Sequence, residues 1–343
     1  RRQRQMCIRD SNNSYNKRQG VLSRRTIRGS ILSDDKTKLA VTNVDGDGNE
    51  TRYYPYSGLF SHTIGYLNNG GYGLESLYGY YMLHSNQNFF EQIGNDLSGN
   101  RNTGDNVVTT LNVGLQKACY DALGSNRGAV IVMEPSTGKI LAMVSKPDFD
   151  PNTLAANWSQ ITGEGSDSVL VNRATQGLYP PGSTFKLITM LEYLREHKND
   201  YGQYHYICDG TYELGNNTIN CVRTTAHGDV DLFSSLAVSC NCSFINIGLS
   251  LDLDRYKKTA EKMLFNKELP TNLEYNKSRF VLNGESSEWD IAQTSFGQGK
   301  TVITPFHLAL ITCTIANNGT LMEPYLCLLY TSRAHETRSN LVC

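Results

Sequence analysis

Residues 177–194, "GLYPPGSTFKLITMLEYL", place a Pro-Pro-Gly turn directly before Ser183 and a lysine three residues after it. The turn prevents a helix from beginning earlier, so a helix is predicted from Ser183 to about Glu196. Its apolar residues cover most of the circumference, which predicts that the helix is central and buried. Ser183 and Lys186 then lie on one face of the first turn, with Cβ atoms about 5–6 Å apart.

A serine and a lysine in this relation can carry out nucleophilic acyl transfer. Ser183 meets the positive end of the helix dipole, which favours a developing alkoxide. Lys186 is predicted to have apolar neighbours, and burial lowers the pKa of an ammonium group, so a neutral amine becomes available as a base. The pair alone does not decide the function, because Ser-x-x-Lys occurs by chance in long proteins and serine is common at helix starts.

A second polar element occurs in "LAVSCNCSF", residues 236–244, between two predicted apolar helices. The hydroxyl of Ser239 can relay a proton to a leaving group. The amide of Asn241, two residues on, can contact both Lys186 and a substrate carbonyl. Asparagine is also a common turn residue, so this element on its own is again a weak signal.

The two elements, in this order, resemble the transpeptidase domain of penicillin-binding proteins, the serine acyltransferases that cross-link peptidoglycan. The resemblance extends to the surrounding segments: "RGAVIVMEPSTGKILAMVSKPDFDPN" (127–152), "NRATQGLYPPGSTFKLIT" (172–189), "INCVRTTAHGDVDLFSSLAVSCNCSFINIG" (219–248) and "TSFGQGKTVITPFHLALITCTIANNGTLMEPYL" (294–326). Upstream, "IRGSILSDDKTKLA" (27–40) resembles the Arg-Gly-x-Ile opening of the class B pedestal domain, although Ser-Asp-Asp-Lys stands where that family often has Asp-Arg-Asn-Gly. The chain is thus identified as a class B penicillin-binding protein over about residues 11–326.

The resemblance implies a role for each matching residue. Ser183 is the nucleophile and Lys186 the base for acylation, while Ser239 shuttles the proton and Asn241 positions the substrate amide. The Ser183 backbone N–H forms half of the oxyanion hole. The residues expected to contact the substrate are those of the "GQG" segment: Gly297, Gln298 and Gly299.

The implied substrate is the D-Ala-D-Ala end of a peptidoglycan stem peptide. Its acyl-enzyme passes to the amine of another stem or to water, and β-lactam antibiotics acylate the same serine. No cofactor is implied. The resemblance places the protein at the extracytoplasmic face of the bacterial cell membrane, in cell-wall biogenesis and cell shape, with a glycosyltransferase or other wall-synthesis proteins as partners.

Other functions fit the same motifs. A D,D-carboxypeptidase has the same residues, because water and an amine compete for one acyl-enzyme. A β-lactam-hydrolysing or β-lactam-sensing relative shares Ser-x-x-Lys but usually lacks a pedestal domain. From a different class, a non-catalytic scaffold of the cell wall could have the same fold.

The chain is predicted to be an α+β protein in which a smaller β-rich pedestal precedes a serine acyltransferase domain of the penicillin-binding and β-lactamase type. That domain combines a buried antiparallel sheet, opened by a hairpin over 128–145, with a helical cluster at 231–238, 242–250 and 253–265. The predicted segments are a foreign or disordered N-terminus (1–10), the pedestal or dimerisation-type domain (11–103), an incomplete transpeptidase domain (104–326) and a foreign C-terminus (327–343).

One motif of the family is missing. The family has Lys-Thr/Ser-Gly on a strand beside the serine, whereas "GKT" at 299–301 belongs to the earlier "GQG" segment. The resemblance stops after Leu326, and both ends read like adaptor or read-through sequence. We therefore expect a fragment without its membrane anchor and last catalytic strands. It should be weakly active or inactive, because the cation for the substrate carboxylate and the second oxyanion donor are lacking.

Composition narrows the classes of function. The 343 residues suggest about two domains. They include 32 Lys plus Arg and 33 Asp plus Glu, and this balance argues against nucleic-acid binding. No apolar run is long enough to predict a membrane-spanning helix.

The cysteines give a weaker signal. There are nine, an odd number without the spacing of a disulfide framework. Cys208 and Cys221 bracket a predicted hairpin with a Gly-Asn-Asn turn and are a candidate disulfide, which an extracytoplasmic location would permit. Cys240 and Cys242 could join His227 at a metal, but a zinc site normally has two spaced ligand pairs. Small buried cysteines are therefore favoured, and no metal site is predicted.

Overall fold

The computed structural model describes residues 26–84, 101–163 and 165–328, together with the backbone of residues 341–342. By compactness the described residues form two units, the first drawn from 26–177, 270–275 and 309–342 and the second from 178–269 and 276–308. Helices and strands are mixed along the chain, which confirms the predicted α+β class. Segment 1–10 and most of segment 327–343 lie outside the described residues, and the predicted domain boundaries stay predictions.

The strands, numbered in chain order, are β1 (Thr26–Ile27), β2 (Ile31–Leu32), β3 (Lys38–Val44), β4 (Glu50–Tyr53), β5 (Asn102–Thr103), β6 (Val107–Thr109), β7 (Gly128–Met133), β8 (Ile140–Lys146), β9 (His205–Cys208), β10 (Thr211–Leu214), β11 (Asn217–Asn220), β12 (Gly228–Asp231), β13 (Thr320–Leu321), β14 (Cys327–Leu328) and β15 (Leu341–Val342).

The α-helices are α1 (Ser61–Ile64), α2 (Gly73–Leu77), α3 (Gly79–Met82), α4 (Val113–Leu123), α5 (Trp158–Thr162), α6 (Lys186–Glu196), α7 (Leu232–Ala237), α8 (Asn241–Ser250), α9 (Leu253–Lys262), α10 (Glu288–Ser295) and α11 (Pro305–Ala316). Short 3₁₀ turns occur at Ser57–Phe60, Gly182–Phe185, Tyr201–Gln203 and Val222–Thr224. Within the described ranges, no helix has the length and apolar character needed to cross a membrane.

The first unit contains a five-stranded sheet in the order β14-β6-β2-β3-β4. Strands β2 and β6 run parallel, whereas the other neighbours are antiparallel, so the sheet is mixed. The buried side chains Ile31, Leu39 and Ala40 of β2 and β3 supply part of its core. The short strands agree with the predicted β-rich character of this part of the chain.

Strands β7 and β8 form the predicted antiparallel hairpin, in register from Gly128↔Lys146 onward. Its turn contains Gly138 with a φ of +83°, where a Cβ atom would lie 2.4 Å from the Glu323 carbonyl oxygen, so only glycine fits. Strand β8 is mostly buried, but every residue of β7 is only half-buried. The hairpin is therefore less enclosed than predicted.

A buried ionic cluster joins several elements of the first unit. The Glu75 carboxylate on α2 is fully buried and accepts hydrogen bonds from Arg28 Nε at 2.9 Å and Arg52 Nε at 2.7 Å. Arg52 on β4 also donates to the Gly29 carbonyl oxygen at 2.8 Å and to the Thr42 hydroxyl at 2.9 Å. Glu75 is thus the shared counter-ion of two guanidinium groups that are themselves nearly buried.

The second unit packs around the 3₁₀ turn Gly182–Phe185 and helix α6. Phe185 is buried, stacks on Phe280 with ring centroids 6.0 Å apart, and meets Phe265 edge-on. The Thr189 hydroxyl of α6 contacts the Tyr256 hydroxyl of α9 at 2.6 Å. Apolar stacking and this polar contact together fix the helix on which Lys186 is carried.

The buried face of α6 differs from the prediction. Lys186, Thr189 and Glu192 are buried although they are polar, whereas Leu187 is 38% exposed. The helix is therefore central but not surrounded by apolar contacts. Its buried polar groups are accommodated because hydrogen-bond partners from other segments reach them.

The remaining elements of the second unit largely follow the sequence prediction. Strands β10 and β11 form the hairpin between Cys208 and Cys221, closed by the pair Leu214↔Asn217. Strand β9 pairs antiparallel with β12. The three helices predicted over 231–238, 242–250 and 253–265 are α7, α8 and α9.

We expect Glu75→Gln to destabilise the protein strongly. The substitution keeps the shape of the side chain but leaves the buried guanidinium groups of Arg28 and Arg52 without a counter-charge. Breaking a buried ionic cluster in this way typically lowers the free energy of unfolding by about 3–5 kcal/mol. Urea unfolding followed by circular dichroism measures the loss.

The matched control is Asp121→Asn, which removes the partner of Lys117 in an exposed helix pair. Its expected effect is below about 1 kcal/mol, because water screens exposed ion pairs. If Glu75→Gln cost no more than Asp121→Asn, the cluster would not be an important source of stability.

Candidate active site

The segment that carries Ser183 is held by backbone hydrogen bonds. Gly182 N–H donates to the Gly297 carbonyl oxygen at 2.8 Å, and a Cβ atom on Gly297 would lie 1.8 Å from the Gly182 carbonyl oxygen. Tyr179 and Ile303 exchange two further hydrogen bonds of 3.0 and 2.8 Å. Ser183 itself is exposed, so a rigid backbone presents its hydroxyl to solvent.

The Lys186 ammonium nitrogen is buried among oxygen atoms. Nζ donates to the Ser239 carbonyl oxygen and to Asn241 Oδ1, both at 2.8 Å. It also lies 3.0 Å from Ser239 Oγ and 3.3 Å from Ser183 Oγ. The immediate surroundings are thus polar, contrary to the apolar neighbours predicted from the helix alone, and the Phe244 ring lies farther away at 5.6 Å.

These contacts define what the amine can do when it is neutral. A neutral amine has two N–H groups and one lone pair. The two shortest contacts of Lys186 are to a carbonyl and an amide oxygen, which can only accept hydrogen bonds, so they use both N–H groups. The lone pair then remains for a hydroxyl proton of Ser183 or Ser239.

The pKa of Lys186 supports the same role. Burial lowers it from 10.5 to about 8, while the nearby thiols of Cys240, Cys221 and Cys242 act in the raising direction. With a pKa of about 8, roughly one lysine in ten is neutral at pH 7. The geometry and the titration thus both permit proton uptake.

Ser239 lies in the short link between α7 and α8. Its φ is +53°, a left-handed conformation that is uncommon for a non-glycine residue. Its Oγ donates to Ser183 Oγ at 3.1 Å. The two hydroxyls and Lys186 Nζ therefore form a closed triangle with sides of 3.0 to 3.3 Å.

Asn241 is the first residue of α8, and its amide is oriented by two different partners. Oδ1 accepts from Lys186, as predicted, and Nδ2 donates to the Asn220 carbonyl oxygen at 3.0 Å. These partners determine which end of the amide faces the lysine. The expected contact with a substrate carbonyl stays a prediction.

The structure thus brings four of the predicted site residues together, Ser183, Lys186, Ser239 and Asn241. The "GQG" segment is joined to them through Gly297, whose contact with Gly182 the sequence did not reveal. Gln298 and Gly299 are exposed, and the Gln298 N–H donates to the Gln293 carbonyl oxygen at 2.9 Å. The substrate-binding role of these three residues stays a prediction.

The candidate disulfide has a different geometry. The sulfur atoms of Cys208 and Cys221 lie 3.8 Å apart and both cysteines are free, whereas a disulfide needs about 2.05 Å. Both thiols belong to a larger group with His227 and Cys240, whose ligand atoms all lie within 4.8 Å of one another. The sequence prediction paired His227 with Cys240 and Cys242 only, and missed this set.

Two models of known protein families match most of the chain. The family model described as penicillin binding protein transpeptidase domain matches residues 128–340. The model described as penicillin binding protein A dimerisation domain matches residues 28–107. Together these two matches agree with the resemblance inferred from the motifs.

The named relatives of the chain support the same family. The chain is 32% identical over 321 residues to the peptidoglycan D,D-transpeptidase PbpA of Mycobacterium tuberculosis, covering 87% of this chain and 64% of that protein. It is 28% identical to the peptidoglycan D,D-transpeptidase MrdA of Acinetobacter baumannii, covering 80% of this chain and 47% of that protein. The chain therefore spans less than two thirds of the length of these relatives.

Among solved structures, the imipenem acyl-enzyme complex of penicillin-binding protein A from M. tuberculosis superposes with a TM-score of 0.78 at 29% identity. That superposition covers 88% of this chain and 73% of the other. The penicillin G acyl-enzyme complex of the same protein gives a TM-score of 0.78, also at 29% identity.

We expect Gly297→Ala to slow the reaction of Ser183 without removing any catalytic side chain. The added Cβ would collide with the Gly182 carbonyl oxygen, and the φ of +85° at Gly297 is itself unfavourable for alanine. A displacement of about 1 Å at a reacting group can cost about 100-fold in rate. The rate of covalent labelling by a fluorescent penicillin measures the effect. Penicillin is chosen as the probe because penicillin G forms an acyl-enzyme with the M. tuberculosis protein.

The control is Gly284→Ala in the same unit, where no heavy atom lies within 4 Å of the added Cβ. Its labelling rate should match that of the unsubstituted protein. Equal rates for the two variants would show that the Gly182–Gly297 contact does not position Ser183.

Proposed function

The chain belongs to the penicillin-binding protein transpeptidase family, and we propose that it is a serine D,D-transpeptidase acting on the D-Ala-D-Ala ends of peptidoglycan stem peptides. One observation carries the proposal: Lys186 Nζ lies within 3.3 Å of the Ser183 and Ser239 hydroxyls while two acceptor-only oxygens hold its N–H groups. This arrangement is suited to activating a serine for acyl transfer.

In the acylation step, Ser183 Oγ attacks the carbonyl carbon of the penultimate D-Ala. Its proton moves to the lone pair of Lys186. The bond from the carbonyl carbon to the terminal D-Ala nitrogen breaks, and that nitrogen receives a proton through Ser239, which lies 3.0 Å from Lys186 and 3.1 Å from Ser183. The products are a serine ester and free D-Ala.

The oxyanion that forms during attack requires hydrogen-bond donors. Ser183 lies in the first turn of its helical segment, where backbone N–H groups have no partner within the helix. Its N–H and the positive end of the helix dipole favour negative charge at this point. Asn241 Nδ2 carries a second N–H group besides the one bonded to Asn220, and this is available to orient the substrate carbonyl.

The same ester has two fates. Attack by the amine of a second stem peptide forms a cross-link, whereas attack by water releases the trimmed peptide. A β-lactam acylates Ser183 by the same route, because its ring amide takes the place of the scissile peptide bond. Since peptidoglycan lies outside the cytoplasmic membrane, we place this activity at the extracytoplasmic face, with a glycosyltransferase or other wall-synthesis protein as partner.

Acylation by residues 1–343 should be slow. The sequence contains no Lys-Thr-Gly or Lys-Ser-Gly, the family motif that supplies a cation for the substrate carboxylate and a further oxyanion donor. Ser183, Lys186 and Ser239 still form the triangle that activates the serine, so the ester can still be formed. The expected behaviour is covalent labelling by penicillin at a rate well below that of a relative that has the motif.

A fluorescent penicillin tests this function directly. We expect the unsubstituted chain to acquire a stable covalent label, mapped by mass spectrometry to Ser183, and Ser183→Ala to acquire none. Ser159→Ala, at an exposed serine of α5, serves as the control and should label normally. Labelling as fast as in M. tuberculosis penicillin-binding protein A would refute the slow-acylation proposal, and no label on any folded form would favour the scaffold alternative.

The pH dependence of labelling tests the role of Lys186. Burial lowers its pKa to about 8, and only the neutral amine can accept the Ser183 proton. The rate should therefore rise from about pH 6 to about pH 9, with a midpoint near 8. Lys186→Arg, which remains protonated throughout this range, should label far more slowly. A rate that is flat or falls with pH would exclude the neutral amine as the base.

A further inference from the structure

Two buried serines join the helices on either side of Ser239. Ser235 lies on α7 and Ser243 on α8, both are fully buried, and their Oγ atoms lie 2.7 Å apart. The α7–α8 link, residues 238–240, carries Ser239 and ends at Asn241, and the proposed function gives both residues a direct part in acylation. We propose, on the basis of that function, that Ser235 and Ser243 are positioning residues whose hydroxyl bridge holds this link against Lys186.

The direction of these hydrogen bonds follows from the protons available. The Ser235 hydroxyl donates to the Asp231 carbonyl oxygen at 2.6 Å, and this contact uses its single proton because a carbonyl oxygen can only accept. Ser243 is therefore the donor in the bond between the two serines. The Tyr204 hydroxyl lies 2.9 Å from Ser243 Oγ and 3.0 Å from the Ser243 carbonyl oxygen, and it donates in this contact. Burial raises the pKa of Tyr204, so this donor keeps its proton.

Ser235 also holds the link through its backbone. Its carbonyl oxygen accepts a hydrogen bond from the Cys240 N–H at 2.9 Å, while its side chain bonds with Ser243. Residues 236–242 thus form a loop that Ser235 closes through both its main chain and its side chain, with the left-handed Ser239 at its middle. The direction of the Ser239 carbonyl group, which Lys186 contacts, therefore depends on how this loop is closed.

The same network reaches the helix that carries Lys186. The Tyr204 ring meets the Tyr193 ring of α6 edge-on, with ring centroids 5.3 Å apart, and its hydroxyl contacts α8. The two shortest contacts of Lys186 are to the Ser239 carbonyl oxygen and Asn241 Oδ1, at the end of α7 and the start of α8. A shift of α8 against α7 would lengthen these contacts, and small displacements near a reacting group are costly in rate.

A pair of apolar residues would not give the same control. Alanine at positions 235 and 243 would bury a similar area, but apolar contacts have no preferred direction. A hydrogen bond fixes both the distance and the angle between its groups. The two hydroxyls therefore determine where α8 begins relative to α7, and with it the position of Asn241.

The first test is the rate at which fluorescent penicillin labels Ser183. Ser243→Ala should slow labelling by about 10-fold to 100-fold, because it removes the bridge while leaving every catalytic side chain in place. The matched control is Ser250→Ala, at the exposed last residue of α8, whose hydroxyl donates to the Ile247 carbonyl oxygen of the same helix at 2.7 Å. Its labelling rate should be that of the unsubstituted chain. Equal rates for the two variants would overturn the proposal.

A double-mutant cycle tests whether the two hydroxyls act together. Ser235→Ala, Ser243→Ala and the variant with both substitutions should label at the same reduced rate, because each removes the same bond. Ser243→Ala should fold, since Ser235 still donates to Asp231 and Tyr204 still donates to the carbonyl oxygen of residue 243. Circular dichroism checks the fold of each variant. Losses that multiply in the double variant would show that the serines act separately, contrary to the proposal.

Nuclear magnetic resonance separates positioning from acylation. Lysine labelled with ¹³C at Cε reports the surroundings of Lys186 without penicillin, and the signal of this residue is identified by its loss in Lys186→Arg. Ser243→Ala should move the signal, whereas Ser250→Ala should leave it unchanged. An unmoved signal in folded Ser243→Ala would overturn the positioning role. If the unsubstituted chain takes up no penicillin, the proposed function fails, and this spectrum still decides whether the bridge positions the link.

Discussion

The site depends on one interaction: the buried amine of Lys186 is held by the Ser239 carbonyl oxygen and Asn241 Oδ1. Both acceptors come from a link more than fifty residues along the chain, so the lysine is in position only when helices α6, α7 and α8 are packed. Burial lowers the pKa of the amine, and the two acceptors determine where its lone pair points.

The supporting contacts explain why the unit combines apolar stacking with buried polar groups. Phe185 anchors the start of α6 among other aromatic rings, while Thr189 ties the same helix to Tyr256. Because residue 297 is a glycine, its segment approaches closely enough for the Gly297 carbonyl oxygen to accept a hydrogen bond from the Gly182 N–H. A purely apolar core could bury the helix, but it would leave the lysine without partners, and an unpaired buried charge is costly.

Sequence reasoning reached the features that are local or carried by a motif. The helix predicted from Ser183, the three helices after it and the two hairpins follow from periodicity and turn residues, although the α-helix begins only at Lys186 and Ser183 lies in a 3₁₀ turn before it. The family follows from motif order. Sequence reasoning missed the polar surroundings of Lys186 and the contact of Gly182 with Gly297. It also missed the grouping of Cys208, Cys221, His227 and Cys240. Each depends on segments that are distant in the sequence and meet only after folding. Neither motif spacing nor composition indicates which distant backbone or sulfur atoms come into contact.

The left-handed backbone conformation at Ser239 limits which residues can replace this serine. Glycine and asparagine tolerate a φ of +53°, but neither carries a hydroxyl. Threonine keeps the hydroxyl, but its branched Cβ is poorly compatible with that conformation. None of these replacements therefore preserves both the backbone conformation and the hydroxyl. On the proposed mechanism, a lineage under antibiotic selection would therefore have to change its reactivity with the drug at positions other than Ser239.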